Sequence, residues 1–476
     1  MDILVAMLFF LIYSVFILSF GKYGLTQSSN ISRFFVADYS LGKWSAVFTF
    51  CATWVSVTSF LAISGSFYYD PLPSVLIIIV GWIVGASLLF YVVKVMRRYR
   101  LITIPEYFNL RYQSPFLQVI GGTIIAFTHL AYMMLQIYGF GLVLSYLLDI
   151  PYLVAIFMVY LFLIYTTFGG LKSIAKTDTI NFIWMLSSIL ILGGIVAFTI
   201  HSNDLWSVYF ADTFSLEQAN PQSGARPISA ILSPVSVFLV WVLGKASHTQ
   251  YLIRVVAVES DKTAREMIGI SIFILTTFYL ILGFIGTGSA VIVPGIEASD
   301  SNEYILLLIR ELTQSSLGSF LLIGILASAV STANSQLLIL TSSISYDVIG
   351  VLLKDTMNER KMARLNRWII LIGATTALLL TISPTSTFLT LGIYLWGVLA
   401  FSFFWMFYGE LIWRNISPMA ITLSTITGIF TGLTLSFIDI FIFSVGSIHP
   451  AIYAMIISGL VLGIVNKNES TVKRLV

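Results

Sequence analysis

Ser328, Ser331, Thr332 and Ser335 stand at i, i+3, i+4 and i+7 in the stretch Ala327-Ser-Ala-Val-Ser-Thr-Ala-Asn-Ser-Gln336. On an α-helix this spacing lines one face with oxygen. A dehydrated sodium ion needs several hard oxygen ligands, which such hydroxyls supply together with backbone carbonyls freed at a helix break. The same stripe also suits helix packing, because buried Ser and Thr bond the carbonyl one turn back and let neighbouring helices approach. Both readings stay open on the stripe alone. A second polar stripe, His129, Tyr132 and Gln136, recurs at one-turn intervals and fits either solute contact or interhelical packing. No HExxH, no Ser/His/Asp order and no paired intramembrane carboxylates are present, so no enzymatic chemistry is expected. One cysteine, Cys51, excludes an internal disulfide and any CxxC motif.

The elements that position these residues belong to a bilayer. Of 476 residues 58% are apolar and 10% charged, against roughly 45–50% and 25% in soluble domains. Apolar runs lie at about 2–21, 44–68, 74–96, 117–148, 150–168, 179–200, 229–253, 267–293, 317–345, 368–382, 386–412, 417–441 and 447–465. Runs of about 20 residues cross roughly 30 Å of hydrocarbon as a helix, and that at 368–382 is the shortest. Thirteen spans predict an all-α polytopic membrane protein in the cell membrane, with the N-terminus outside and the C-terminus inside. That alternation puts 22 of 25 basic residues inside, leaving Arg226 and Arg310 outside and Lys245 within a span. The net charge of +3 is small and dispersed, and no nucleic-acid partner is expected.

Two runs are interrupted. Thr53, Ser56, Thr58 and Ser59 break the second, and Gly244, Lys245, Ser247, His248, Thr249 and Gln250 break the seventh. They stand five runs apart, which is the pattern of an inverted-repeat transporter with unwound helices at the midplane. Lys245 stands about nine residues from the inside end of its run, roughly 13 Å by helical rise and beyond a lysine's reach to the interface. It needs an anion or a water-filled cavity there. A substrate carboxylate is one such anion; the inner vestibule is one such cavity. Asp178 is expected to open a helix near the inside surface, either as a carboxylate favoured by the helix dipole or as part of an ion pathway.

Four blocks resemble the sodium/solute symporter family. Ser331, Thr332, Ser335, Gln336, Leu337 and Leu338 match its "A-A-x-M-S-T-x-x-S-Q-L-L", with Val330 in place of Met. The run from Gly169 to Asn181 is similar to "G-G-x-x-A-V-x-x-T-D-x-x-Q". Ser40-Leu41-Gly42, followed by Ala52 to Ser56 and Gly65, forms the third block; Arg254 with Asp261 and Lys262 forms the fourth. The blocks cover about residues 33–355.

The resemblance implies a single transporter domain over 1–476 with a leucine-transporter-type inverted repeat. Its expected parts are an extra N-terminal helix at 2–21, repeats at 44–200 and 229–412, and two extra C-terminal helices at 417–465. Sodium is the implied coupling ion, held by the carbonyls of Ala52, Val55 and Ser328 and the hydroxyls of Ser331 and Thr332. Certain members have a second site, which maps to Asp178, Ser331, Asn334 and Ser335, with Asn334 replacing a serine. Implied substrate contacts are Thr58, Ser59, Tyr132, Gln136, Trp241 and Lys245, whereas Tyr394 and Trp396 read as gate or core aromatics.

The expected function is sodium-coupled import of a small organic solute, carboxylate-bearing if Lys245 meets it, by alternating access. Pantothenate, a monocarboxylate and an amino acid are the candidate solutes. Gly446, His449 and Pro450 resemble the pantothenate subgroup, while Trp54 stands where sodium/proline members carry aspartate. Other ion coupling, a passive channel and a transporter-like sensor are the alternatives.

Overall fold

Each expected apolar run is helical in the computed structural model, which describes residues 3–25, 30–70, 72–213, 227–296, 303–353, 358–383, 388–413 and 415–475. Arg226, placed outside above, lies outside the described residues. In chain order the helices are α1 (Ile3–Leu25), α2 (Lys43–Trp54), α3 (Ser59–Tyr69), α4 (Leu72–Met96), α5 (Pro115–Leu148), α6 (Tyr152–Thr167) and α7 (Gly170–Ser202). They continue with α8 (Pro227–Ala246), α9 (Thr249–Ala257), α10 (Asp261–Ile292), α11 (Ser315–Ser342), α12 (Glu359–Thr381), α13 (Phe388–Tyr408), α14 (Pro418–Phe441) and α15 (Pro450–Leu475).

Local sequence sets several of these starts. Ser114, Ser260, Asn358 and Ser417 each accept a backbone N–H three residues on, and Pro115 and Pro418 occupy first-turn positions where no N–H is needed. Among the described residues nine helices are long and apolar enough to cross a membrane, and a tenth span is the pair α2 and α3, bent by 61°. Shorter apolar stretches lie in α1 and α6, and the remaining expected run is the second broken pair, α8 and α9.

Burial ranks the helices. The apolar window of α11 is 83% buried inside the protein, that of α14 only 28%. α11 is therefore the hub, packed on α5 and α7, which explains why it tolerates a polar stripe that lipid would not. α1 packs on α7 and α11, whereas α14 and α15 pack on each other and on α13 at the periphery.

One face of the bundle is latched by the segments rich in basic residues. Leu41 pairs with Val258 as a β-bridge, with Leu41 N–H to Ala257 O at 3.2 Å and Glu259 N–H to Leu41 O at 3.2 Å. Arg97, at the end of α4, donates to the carbonyls of Val255, Val256 and Val258 at 2.9–3.1 Å and pairs with Asp261 at 2.6 Å. The entry to α2 and the exit of α9 are thereby tied together beneath the two helix breaks. At the other end of α5, an open depression of about 640 Å³ is lined by Tyr146, Asp149, Tyr152, Glu303 and Ile382 among others.

Candidate functional site

The first break releases carbonyls toward α11. Val55 follows α2 with an extended backbone, φ −80° and ψ 99°, although its N–H still bonds Cys51 O at 2.9 Å. The carbonyls behind it find side chains instead. Ser331 Oγ lies 2.9 Å from Ala52 O and 3.1 Å from Ser328 O, and Gln250 Nε2 donates to Thr53 O at 3.3 Å. Thr332 Oγ1 is fully buried and has no hydrogen-bond partner among the described residues. An orphaned buried hydroxyl costs about 1–3 kcal/mol, so its retention fits a ligand role. One carbonyl of α2, that of Ala52, thus meets one hydroxyl of α11, that of Ser331, in neutral oxygen surroundings. Among the described residues no cluster of His, Cys, Asp and Glu could hold a transition metal.

Asp178 overturns its expected position. The helix opens at Gly170, two turns earlier, and Asp178 is 0% exposed, so it does not cap a surface helix. Its Oδ2 accepts from Thr49 Oγ1 at 2.5 Å and from Arg254 Nη2 at 3.4 Å, while Oδ1 has no partner among the described residues. Arg254 is likewise not in a loop: it is buried in α9 and spreads its guanidinium over Ser335 Oγ at 2.6 Å, Thr49 O and Oγ1 at 3.2 Å and Gln250 O at 2.8 Å. Asn334 faces elsewhere, its Oδ1 accepting from Thr166 at 2.6 Å and Thr167 at 3.3 Å.

Lys245 is the penultimate residue of α8 and stands directly at the second break, within the interruption Gly244–Gln250. Its side chain is buried, and its Nζ donates to Tyr251 Oη at 3.0 Å. Four rings surround it, with centroids at 4.3 Å (Trp54), 4.7 Å (Trp82), 5.0 Å (Trp396) and 5.2 Å (Tyr251). Each desolvated cation–π contact is worth about 0.5–2 kcal/mol. No acidic side chain lies within ion-pair distance of it among the described residues.

Two glycines permit this crowding: a Cβ on Gly85 of α4 would lie 2.7 Å from Val242 O and 2.9 Å from Lys245 Cβ, and one on Gly244 would lie 2.7 Å from Trp396 Cβ. Voids of about 10 Å³ flank the cage, one bordered by Trp54 and Trp82, the other by Trp396, Tyr132 and His248.

The remaining candidates converge on the same breaks. Tyr132 Oη donates to Ser56 Oγ at 3.0 Å and its ring stands edge-on to Trp396 at 5.1 Å. Gln136 Oε1 accepts the Val57 N–H at 3.2 Å, leaving Nε2 without a partner. Ser59 Oγ lies 2.9 Å from Tyr279 Oη, Thr58 Oγ1 has no partner among the described residues, and Trp241 packs against Trp82 at 5.3 Å and Trp396 at 4.8 Å. His129 bonds Thr249 Oγ1 at 3.0 Å, bridging the second stripe to α9.

Sequence reasoning left Trp54, Trp82, Tyr251, Arg254 and Trp396 out of the site. Arg254 carried a usable signal: a lone cation in the short segment Thr249–Ala257, at one-turn spacing from Gln250. Trp396 reads as a gate or core aromatic, while Trp82 carried no signal, because a tryptophan in an apolar run is compatible with any environment.

Comparison with known proteins follows the same geometry. The sequence profile described as "Sodium:solute symporter family" matches residues 34–432. The osmoregulated proline transporter OpuE of Bacillus subtilis (strain 168) is 26% identical, with 96% of this chain and 94% of that protein covered. Sodium/proline symporter 2 of Staphylococcus saprophyticus is 25% identical, covering 88% and 83%. Among solved structures, a Na+-coupled sialic acid symporter in a substrate-bound outward-open state superimposes with a TM-score of 0.82 at 16% identity, covering 98% of both chains. A nucleobase-cation-symport-1 family transporter in a closed conformation gives 0.60 at 16% identity, covering 91% and 94%.

Proposed function

Since the chain belongs to the sodium:solute symporter family, we propose that it couples inward sodium movement to uptake of a small organic solute by alternating access around the two helix breaks. The observation that carries this reading is Ser331 Oγ, which joins a carbonyl at the first break to the hub helix α11. Sodium is cargo here: Ala52, Val55, Ser328, Ser331 and Thr332 hold it, and in doing so tie α2 to α11. The solute takes the space among Thr58, Ser59, Tyr132, Gln136, Trp241 and Lys245, with a carboxylate directed at the Lys245 ammonium.

The chain crosses thirteen times with its N-terminus outside, so the Arg97 latch faces the cytoplasm and the depression near Asp149 faces out. Repeats at 44–200 and 229–412 form the moving core, with 2–21 and 417–465 around it. Asp178 and Ser335, bridged by Arg254 at 3.4 and 2.6 Å, act as a tethered ion-pair node beside the sodium route, with Asn334 held apart by Thr166 and Thr167; the guanidinium takes the place of a second ion. The two curated relatives above are named for proline and neither for pantothenate, so the pantothenate expectation gains no support from them. Proline-type chemistry stays among the candidates.

Release inside requires the Leu41–Val258 bridge and the Arg97 contacts to part. Each net charge moved inward contributes about 2.3 kcal/mol per 100 mV, and a tenfold sodium gradient adds about 1.4 kcal/mol. The test is uptake of labelled small acids and amino acids into proteoliposomes, with and without an inward sodium gradient, beside a Ser331→Ala/Thr332→Ala variant. Accumulation that requires sodium and is lost in the variant at equal protein level supports the reading; sodium-independent uptake overturns the coupling.

A further inference from the structure

We infer that the solute is an organic monoanion carrying no ammonium group, bound with its carboxylate on Lys245 and its apolar body between the indoles of Trp82, Trp241 and Trp396. This rests on the symport reading above and sharpens its substrate class. The argument is one of unmatched hydrogen-bonding capacity. Around the breaks, Trp82 Nε1, Trp241 Nε1, Trp396 Nε1 and Gln136 Nε2 are buried donors without partners among the described residues. Lys245 adds an ammonium with three N–H groups, of which one is met by Tyr251.

Acceptors of negative charge do not balance them. Asp178 is tied through Oδ2 to Arg254 and Thr49, with Oδ1 alone without a partner among the described residues, and the orphaned oxygens nearer the cage, Gln336 Oε1, Ser247 Oγ and Thr58 Oγ1, are neutral. A bound carboxylate answers the lysine and the donors together, since each of its oxygens accepts more than one hydrogen bond. An amino-acid zwitterion would bring a second cation beside Lys245 with no carboxylate to receive it. Aromatic faces alone would not exclude it, because they attract any cation; the exclusion comes from Lys245 already occupying them at 4.3–5.2 Å. The voids on both sides of the cage hold at most a water each, so the rings must part to admit the body of the solute.

One charge consequence follows. At a stoichiometry of one sodium ion per monoanion the pair moves without net charge and only the sodium gradient drives uptake, whereas each further sodium ion adds the membrane potential as a driving force.

The test uses the purified full-length protein and matched probes read by tryptophan fluorescence and thermal shift, with and without sodium. A series of monocarboxylates from acetate through cyclopentanecarboxylate to benzoate is compared with L-proline and with pyrrolidine. The expected result is that at least one of the monocarboxylates binds ten or more times tighter than proline, and that pyrrolidine does not bind. Lys245→Met is expected to lose carboxylate binding at least tenfold while keeping the thermal shift caused by sodium, which reports an intact fold. Proline binding as tightly as the best carboxylate, or undiminished carboxylate binding in Lys245→Met, overturns the inference. Absence of binding by every carboxylate overturns it as well. Carboxylate binding with no dependence on sodium supports this assignment and overturns sodium coupling, so the two failures are distinct.

Discussion

Arg254 of α9 reaches across the bundle to Asp178 of α7, Nη2 to Oδ2 at 3.4 Å, with the two side chains 1% and 0% exposed. Breaking a buried pair by removing one partner leaves an uncompensated charge and costs about 3–5 kcal/mol. Asp178→Asn and Arg254→Gln are each expected to lower the detergent unfolding temperature strongly, and the double variant to lose less than the two together. A double-mutant cycle measures this. Strictly additive losses would mean that the pair is not coupled in the folded protein.

The sodium cluster predicts a graded series. Thr332→Ala removes an orphaned hydroxyl, so it costs little in stability while raising the sodium concentration for half-maximal uptake about tenfold. Ser331→Ala also loses the link to Ala52 O, so a larger rise is expected. Sodium-dependent thermal shift and uptake kinetics read both. An unchanged sodium dependence in either variant would remove that hydroxyl from the site.

Helix contact at the second break is set by Gly85, whose Cβ position is already filled by Val242 O and Lys245 Cβ. Gly85→Leu is expected to separate α4 from α8 and abolish uptake together with much of the folded yield. Gly194→Ala, at a position with nothing within 4 Å, is the control and is expected to behave as the parent. Size-exclusion profiles and uptake in parallel decide between them.

The latch gives a conformational prediction read by the chain's own thiol. Cys51 is fully buried beside the first break, and it is the one cysteine in the sequence. Arg97→Ala removes three carbonyl contacts and the pair with Asp261, so Cys51 is expected to react several-fold faster with a water-soluble maleimide. The increase should vanish when sodium and solute hold the breaks closed. Equal labelling rates in parent and variant would place the gate elsewhere.

The sequence by itself determined the solvent and the plan of this protein. Backbone groups in hydrocarbon must close their own hydrogen bonds, so apolar runs of this length read directly as helices, and polar interruptions at Thr53–Ser59 and Gly244–Gln250 read directly as breaks. The Ser328–Ser335 stripe was legible for the same local reason, since a face of a helix is fixed by spacing alone. What each buried charge does was decided only by tertiary structure. Lys245 read as a group needing an anion, but three of its four cage rings come from α2, α4 and α13, which are remote in sequence. Arg254 counted as a loop cation and Asp178 as a helix cap, until packing of α2, α7, α9 and α11 placed them together at zero solvent exposure. Periodicity records which face a residue occupies; which helix lies opposite that face is set by the packing of the whole bundle.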